Sequence, residues 1–114
     1  VKLIGSRAER EFRENLINSN VTLNTDTEQL SRVINNAGHE LLNSFVLHHI
    51  HEQCEDIYVL LISGAYILTV EIDRLDSKVE PIFERVNLND YLHGLSKIGQ
   101  IQIAVAMDLV KMRI

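Results

Sequence analysis

Apolar and polar positions are distributed most tellingly between Ile57 and Ile72, I-Y-V-L-L-I-S-G-A-Y-I-L-T-V-E-I. Two apolar runs flank a Ser63-Gly64 pair. This pattern predicts a β-hairpin with a two-residue turn, because glycine accepts positive φ without steric cost. In that register Leu61 faces Tyr66, Val59 faces Leu68, Ile57 faces Val70 and Asp56 faces Glu71. The first strand is apolar on both faces, so it is expected to lie inside the sheet and to be covered twice. The second strand ends in Glu71 and Asp73, where one face reaches water.

Helical periodicity brackets this hairpin. Ser6-Arg7-Ala8-Glu9 is a capping box, and the helix it opens is expected over Arg7 to Ser19, with Ala8, Phe12, Leu16 and Ile17 as its apolar stripe. Asn18, Ser19, Asn20 and Asn24 predict a loop around Val21 to Leu23. Thr25-Asp26-Thr27-Glu28 is a second capping box. It opens a helix to about Ala37, carried by Leu30, Val33, Ile34 and Ala37, and Gly38 suits its left-handed end.

Phe45 to His51 is rich in strand formers and reads as a strand, with His49 and His51 on one face and His48 on the other with Val46 and Ile50. Glu52 to Asp56 is the loop into the hairpin. Asp76-Ser77-Lys78 is a turn, and Val79 to Val86 reads as an edge strand that tolerates Pro81. Asn87 and Gly94 bound a short helix, and Ser96 caps the last one, Ile98 to about Met112. Its apolar residues occupy most of the circumference. Only Lys97, Gln100, Ala104, Asp108 and Lys111 form a wet stripe, so the helix should pack on the sheet. The alternative is that it forms half of a dimer interface.

The expected fold is therefore α+β over residues 1–114 as a single compact domain. It has a three- to four-stranded antiparallel meander, two N-terminal helices and a buried C-terminal helix. Composition agrees: 46% apolar and 24% charged residues in 114 is ordinary globular balance. The single cysteine, Cys54, excludes an intrachain disulfide and suits a reducing, cytoplasmic setting. The opening V-K-L-I-G-S-R has only a short apolar patch, so no secretory leader is expected. No apolar run approaches the length of a membrane helix.

A net charge of −5 disfavours direct nucleic-acid binding and suits a basic partner. Glu55, Asp56, Glu71 and Asp73 are expected to converge at the open end of the hairpin, with Asp76 in the turn beyond. Three readings compete for them: a Mg²⁺ site, an acidic patch for a basic partner, and plain solvated strand ends. The first lacks the lysine that commonly follows the acid, since Ile72 and Asp73 follow Glu71.

His48, His49, His51, Glu52 and Cys54 form the one metal-like local cluster. It has no C-x-x-C or H-E-x-x-H spacing, so edge histidines without metal are expected and no cofactor is assigned. No G-x-S-x-G, P-loop or G-x-G-x-x-G occurs, so no catalytic residues are assigned and an enzyme is not expected.

Several features together resemble the small bacterial immunity proteins of contact-dependent growth inhibition and related polymorphic-toxin systems. They are the acidic composition, the helices opened by S-R-A-E and T-D-T-E, the meander E-D-I-Y-V-L-L-I-S-G-A-Y-I-L-T-V-E-I-D and the closing helix I-G-Q-I-Q-I-A-V-A-M-D-L-V. The resemblance implies a noncatalytic inhibitor that binds a cognate protein toxin, often a nuclease. Glu55, Asp56, Glu71, Asp73 and Asp76 are the candidate partner-binding residues. A small metal-dependent enzyme using the carboxylates or histidines, and a homodimeric scaffold, are the alternatives.

Overall fold

The computed structural model describes residues 1–25 and 29–112. The element order is α1 (Arg7–Thr25), α2 (Gln29–Asn36), β1 (Phe45–His51), β2 (Glu55–Ile62), β3 (Tyr66–Asp73), β4 (Ile82–Asn87), α3 (Leu88–His93) and α4 (Lys97–Met112). The four strands form one antiparallel sheet in the order β1-β2-β3-β4, so the chain is an α+β meander as expected.

The sheet is packed on both faces. On one, Leu30 and Ile34 of α2, with Leu23 and Leu41, bury Leu60, Ile62, Leu68, Val70 and Ile72. On the other, Ile103, Val105, Ala106, Leu109 and Val110 of α4 bury Phe45, Leu47, Leu61 and Ile67. The C-terminal helix is thus a core helix. Only its ends carry large exposed apolar groups, at Ile98 and Met112.

The hairpin register differs from expectation by one residue. Ser63 and Gly64 both adopt positive φ, and the Ala65 amide donates to Ile62 O at 2.9 Å, so the tight turn forms. The ladder, however, resumes with Tyr66 opposite Ile62, which leaves Ala65 as an extra residue. Leu61 then pairs Ile67 and Leu60 pairs Leu68. A one-residue slip moves a whole strand face to the other side of the sheet. Tyr66, Leu68, Val70 and Ile72 therefore join Tyr58, Leu60 and Ile62 beneath α2, rather than joining Ile57, Val59 and Leu61. Asp56 does not face Glu71. It pairs with Ile72, and Glu71 pairs with Ile57.

α1 also departs from expectation, running through Val21 and Leu23 to Thr25. The polar residues that read as a loop are used inside the helix. Thr22 Oγ1 donates to Asn18 O, and Thr25 Oγ1 to Val21 O. Such back-bonding lets hydroxyl residues sit within a helix. Buried Asn20 points across the fold instead, donating to Ser44 O at 2.8 Å and Leu42 O at 2.9 Å. Ser19 Oγ accepts the Val46 amide at 3.1 Å, so α1 covers part of the outer edge of β1.

Apart from the C-terminal end of α1, the capped helix ends lie where the sequence places them. Ser6 Oγ accepts the Glu9 amide, and the Glu9 carboxylate accepts the amides of Ile4, Gly5 and Ser6. The Ser6 hydroxyl and the Ser6 amide hold the Glu9 carboxyl below its ordinary range, with the Gly5 and Ile4 amides adding to the effect against the opposing cost of desolvation. Gly38 (φ 87°) closes α2, with His39 N donating to Ile34 O and Gly38 N to Asn35 O. The second capping box falls largely on Asp26, Thr27 and Glu28, outside the described residues. Asn87 caps α3 and Ser96 caps α4. β4 begins after Pro81 rather than at Val79.

The Asn20 link gives a stability prediction. Asn20→Ala should remove a donor from the buried Ser44 carbonyl and from the part-buried Leu42 carbonyl at the β1 entrance, and cost about 1–3 kcal/mol. Chemical denaturation, with the slope held against wild type, checks it. A loss indistinguishable from zero would show that water replaces the amide.

Candidate functional site

The two faces of the sheet carry different chemistry at its open end, away from the Ser63-Gly64 turn. Register and side-chain alternation put Ile50, Ile57, Glu71 and Ile82 in one row across the four strands, on the α4 side. α4 packs on the other half of that face, against Leu61, Ile67, Val59 and Val86. The row it leaves is open: Ile50 is 45% exposed, Ile82 61%, and Ile57 and Glu71 are half-buried. Glu55 pairs across from Asp73 at one border, and Glu84 stands beside the row on β4. The result is a small apolar strip bordered by carboxylates.

Three of the five carboxylates singled out from sequence, Glu55, Glu71 and Asp73, therefore share this face. Asp73 also braces the turn that follows, its Oδ1 accepting the amides of Leu75 and Asp76. Asp76 lies in that turn, its Oδ1 accepting the Lys78 amide. Asp56 departs from the group and projects from the opposite face. Glu84 and the isoleucines were missed, although alternation along Ile82–Asn87 signals Glu84 once the strand is known to start after Pro81.

On the α2 side, Asp56 sits among cations and rings. His49 Nε2 lies 2.9 Å and His51 Nδ1 2.8 Å from Asp56 Oδ1. Arg74 NH1 donates to His51 Nε2 at 2.6 Å, its other terminal nitrogen donates to Glu52 O, and its Nε is 3.8 Å from Asp56 Oδ2. The His49 ring stacks on Tyr58 with centroids 4.3 Å apart. Burial pushes the Asp56 carboxyl up. The hydrogen bonds from His49 and His51, followed by the Arg74 charge, outweigh it and leave the group below its ordinary range.

His49 and His51 share a face as expected, but Val46 does not lie with His48. A bulge between Val46 and His48 places Val46 opposite Leu60 on the α2 side, while His48 pairs Val59 on the other. Among the described residues, the grouped metal-type donors are His49, His51 and Asp56, so Asp56 stands where Cys54 was considered. A cleft of about 250 Å³ beside them is lined by Leu23, Leu30, Val46, His49 and Tyr58, among others.

Asp56 supports a pH prediction. A depressed folded-state pKa stabilises the fold above the ordinary aspartate value of 3.8, and this contribution is lost as pH falls through the folded value. Asp56→Asn should thus be less stable than wild type at pH 7 by about 1 kcal/mol or less, the pair being largely surface-placed. The gap should close progressively below pH of about 4. Denaturation series at several pH values read the difference directly; a gap that persists unchanged into acid would remove the carboxylate charge as its cause.

No helix among the described residues is long and apolar enough to cross a membrane. Compared with known proteins, the chain matches no family model, no curated protein and no solved structure.

Proposed function

We propose that this protein is a noncatalytic, cytoplasmic inhibitor of the immunity type, which binds a basic toxin domain, of the nuclease class, through the open end of its sheet. The observation that carries the reading is the strip Ile50, Ile57 and Ile82 bordered by Glu55, Glu71, Asp73 and Glu84. An apolar centre with a polar rim is the usual anatomy of a protein interface. A single-sign rim speeds encounter with an oppositely charged partner and sets its orientation. A net charge of −5 acts in the same direction over the whole molecule.

β4 adds to the surface. It is the terminal strand of the sheet, and Ile82 is exposed on it on the α4 side. An inhibitor needs complementarity to its target rather than a reactive group. The open strip supplies complementarity and offers no nucleophile with an adjacent base.

Photo-crosslinking from position 82 in cells of the source organism tests the reading. Wild type should capture a basic polypeptide that arrests growth when expressed alone and not when co-expressed with this protein. Glu71→Lys with Asp73→Lys should weaken that complex by about tenfold or more at low salt and by less at high salt. A captured polypeptide that is harmless, or binding indifferent to both reversals, would overturn the assignment.

A further inference from the structure

We propose that His49, His51 and Asp56 form a binding site for a divalent first-row transition ion of the zinc class, with Arg74 as its built-in antagonist. This inference is independent of the inhibitor reading and uses the opposite face of the sheet.

The donor geometry is the first argument. His49 Nε2, His51 Nδ1 and Asp56 Oδ1 all lie within 4.8 Å of one another. The carboxylate oxygen is 2.9 Å from one ring nitrogen and 2.8 Å from the other. Tetrahedral zinc with bonds of about 2.0–2.1 Å holds neighbouring donors about 3.3 Å apart. The carboxylate oxygen needs to move roughly half an ångström from each ring nitrogen, and the two ring nitrogens, within 4.8 Å of each other, to draw together to about 3.3 Å, with no change of strand register. Two imidazoles and one carboxylate suit zinc, cobalt or nickel rather than magnesium or calcium, which prefer oxygen. Water or a small ligand would complete the shell.

The scaffold is the second argument. His49 and His51 project from the same side of one strand, and Asp56 is the register partner of His51 on the next. Tyr58 stacks on His49 and limits its ring rotation. Rigid strand positions hold ligands better than loops do.

Arg74 sets the strength of the site. Its guanidinium only donates, so the 2.6 Å contact to His51 Nε2 makes that nitrogen the acceptor and puts the ring proton on Nδ1, facing Asp56. Ion binding at Nδ1 moves that proton to Nε2, where it meets the Arg74 donor. Each ring keeps one proton, now on the nitrogen away from the ion. Metal-bound histidines usually give their outer N–H to an acceptor, and here a cation stands in that place. Arg74 must therefore leave His51 when the ion arrives, retaining Glu52 O and Asp56 as partners.

The test uses the full chain stripped with chelator, titrated with Zn²⁺ by calorimetry and with Co²⁺ by its visible absorption. One ion per chain is expected. His49→Ala and Asp56→Asn should each lose about tenfold or more in affinity. His48→Ala, on the other face, and Cys54→Ser should bind as wild type. Arg74→Gln should bind several-fold more tightly. Circular dichroism of each metal-free variant controls for folding. Zn²⁺ binding that is absent, that survives both ligand substitutions or that vanishes with Cys54→Ser would overturn the site. An Arg74→Gln protein that binds no more tightly than wild type would overturn the antagonism.

Discussion

The structure depends on the double burial of β2. Leu60, Leu61 and Ile62 are successive residues with almost no exposure, so both faces of the strand lie within packed cores. A strand of this kind demands cover on each side. α2 supplies it on one face and α4 on the other, and each helix brings its own apolar cluster. Burying a large aliphatic side chain is worth about 1.5–3 kcal/mol, so the strand anchors both layers at once. α1 then runs beside β1 and reaches both clusters, with Leu16 in one and Leu23 in the other.

The same arrangement decides where chemistry is left over. α4 covers the turn-proximal half of its face and leaves the other half open. There the apolar row Ile50, Ile57 and Ile82 is interrupted by Glu71, with further acids at its border. Across the sheet the balance is reversed. Asp56 is matched within the chain by His49, His51 and Arg74, so that carboxylate is engaged rather than offered. One sheet end thus has an acidic, outward-facing side and a side where charges and rings satisfy one another.

Much of this was legible in the sequence. Ser6 and Glu9, Gly38, Asn87 and Ser96 act locally, through a side chain and amides a few residues away, and the helix ends appear where those residues put them. Phe45–His51 reads as a strand from composition alone. The N-terminal helix was harder to delimit. Asn18, Ser19, Asn20 and Asn24 carry a loop signature, yet Asn20 and Ser19 are spent on Ser44, Leu42 and Val46, more than twenty residues away. Nothing near Asn20 in the chain announces those acceptors.

The sequence by itself determined the order of elements, the antiparallel meander and the membership of the faces of β2 and β3, because alternation and capping are properties of neighbouring residues. Only the tertiary structure decided which face of β3 joins which face of β2. β2 is apolar on both sides, so either register buries similar side chains, and the choice passed to Ala65 at the turn. That single extra residue, with the bulge near Val46, parted Asp56 from Glu71 and set it beside two histidines. Local pattern carries the elements, and the turn and long-range packing choose the register.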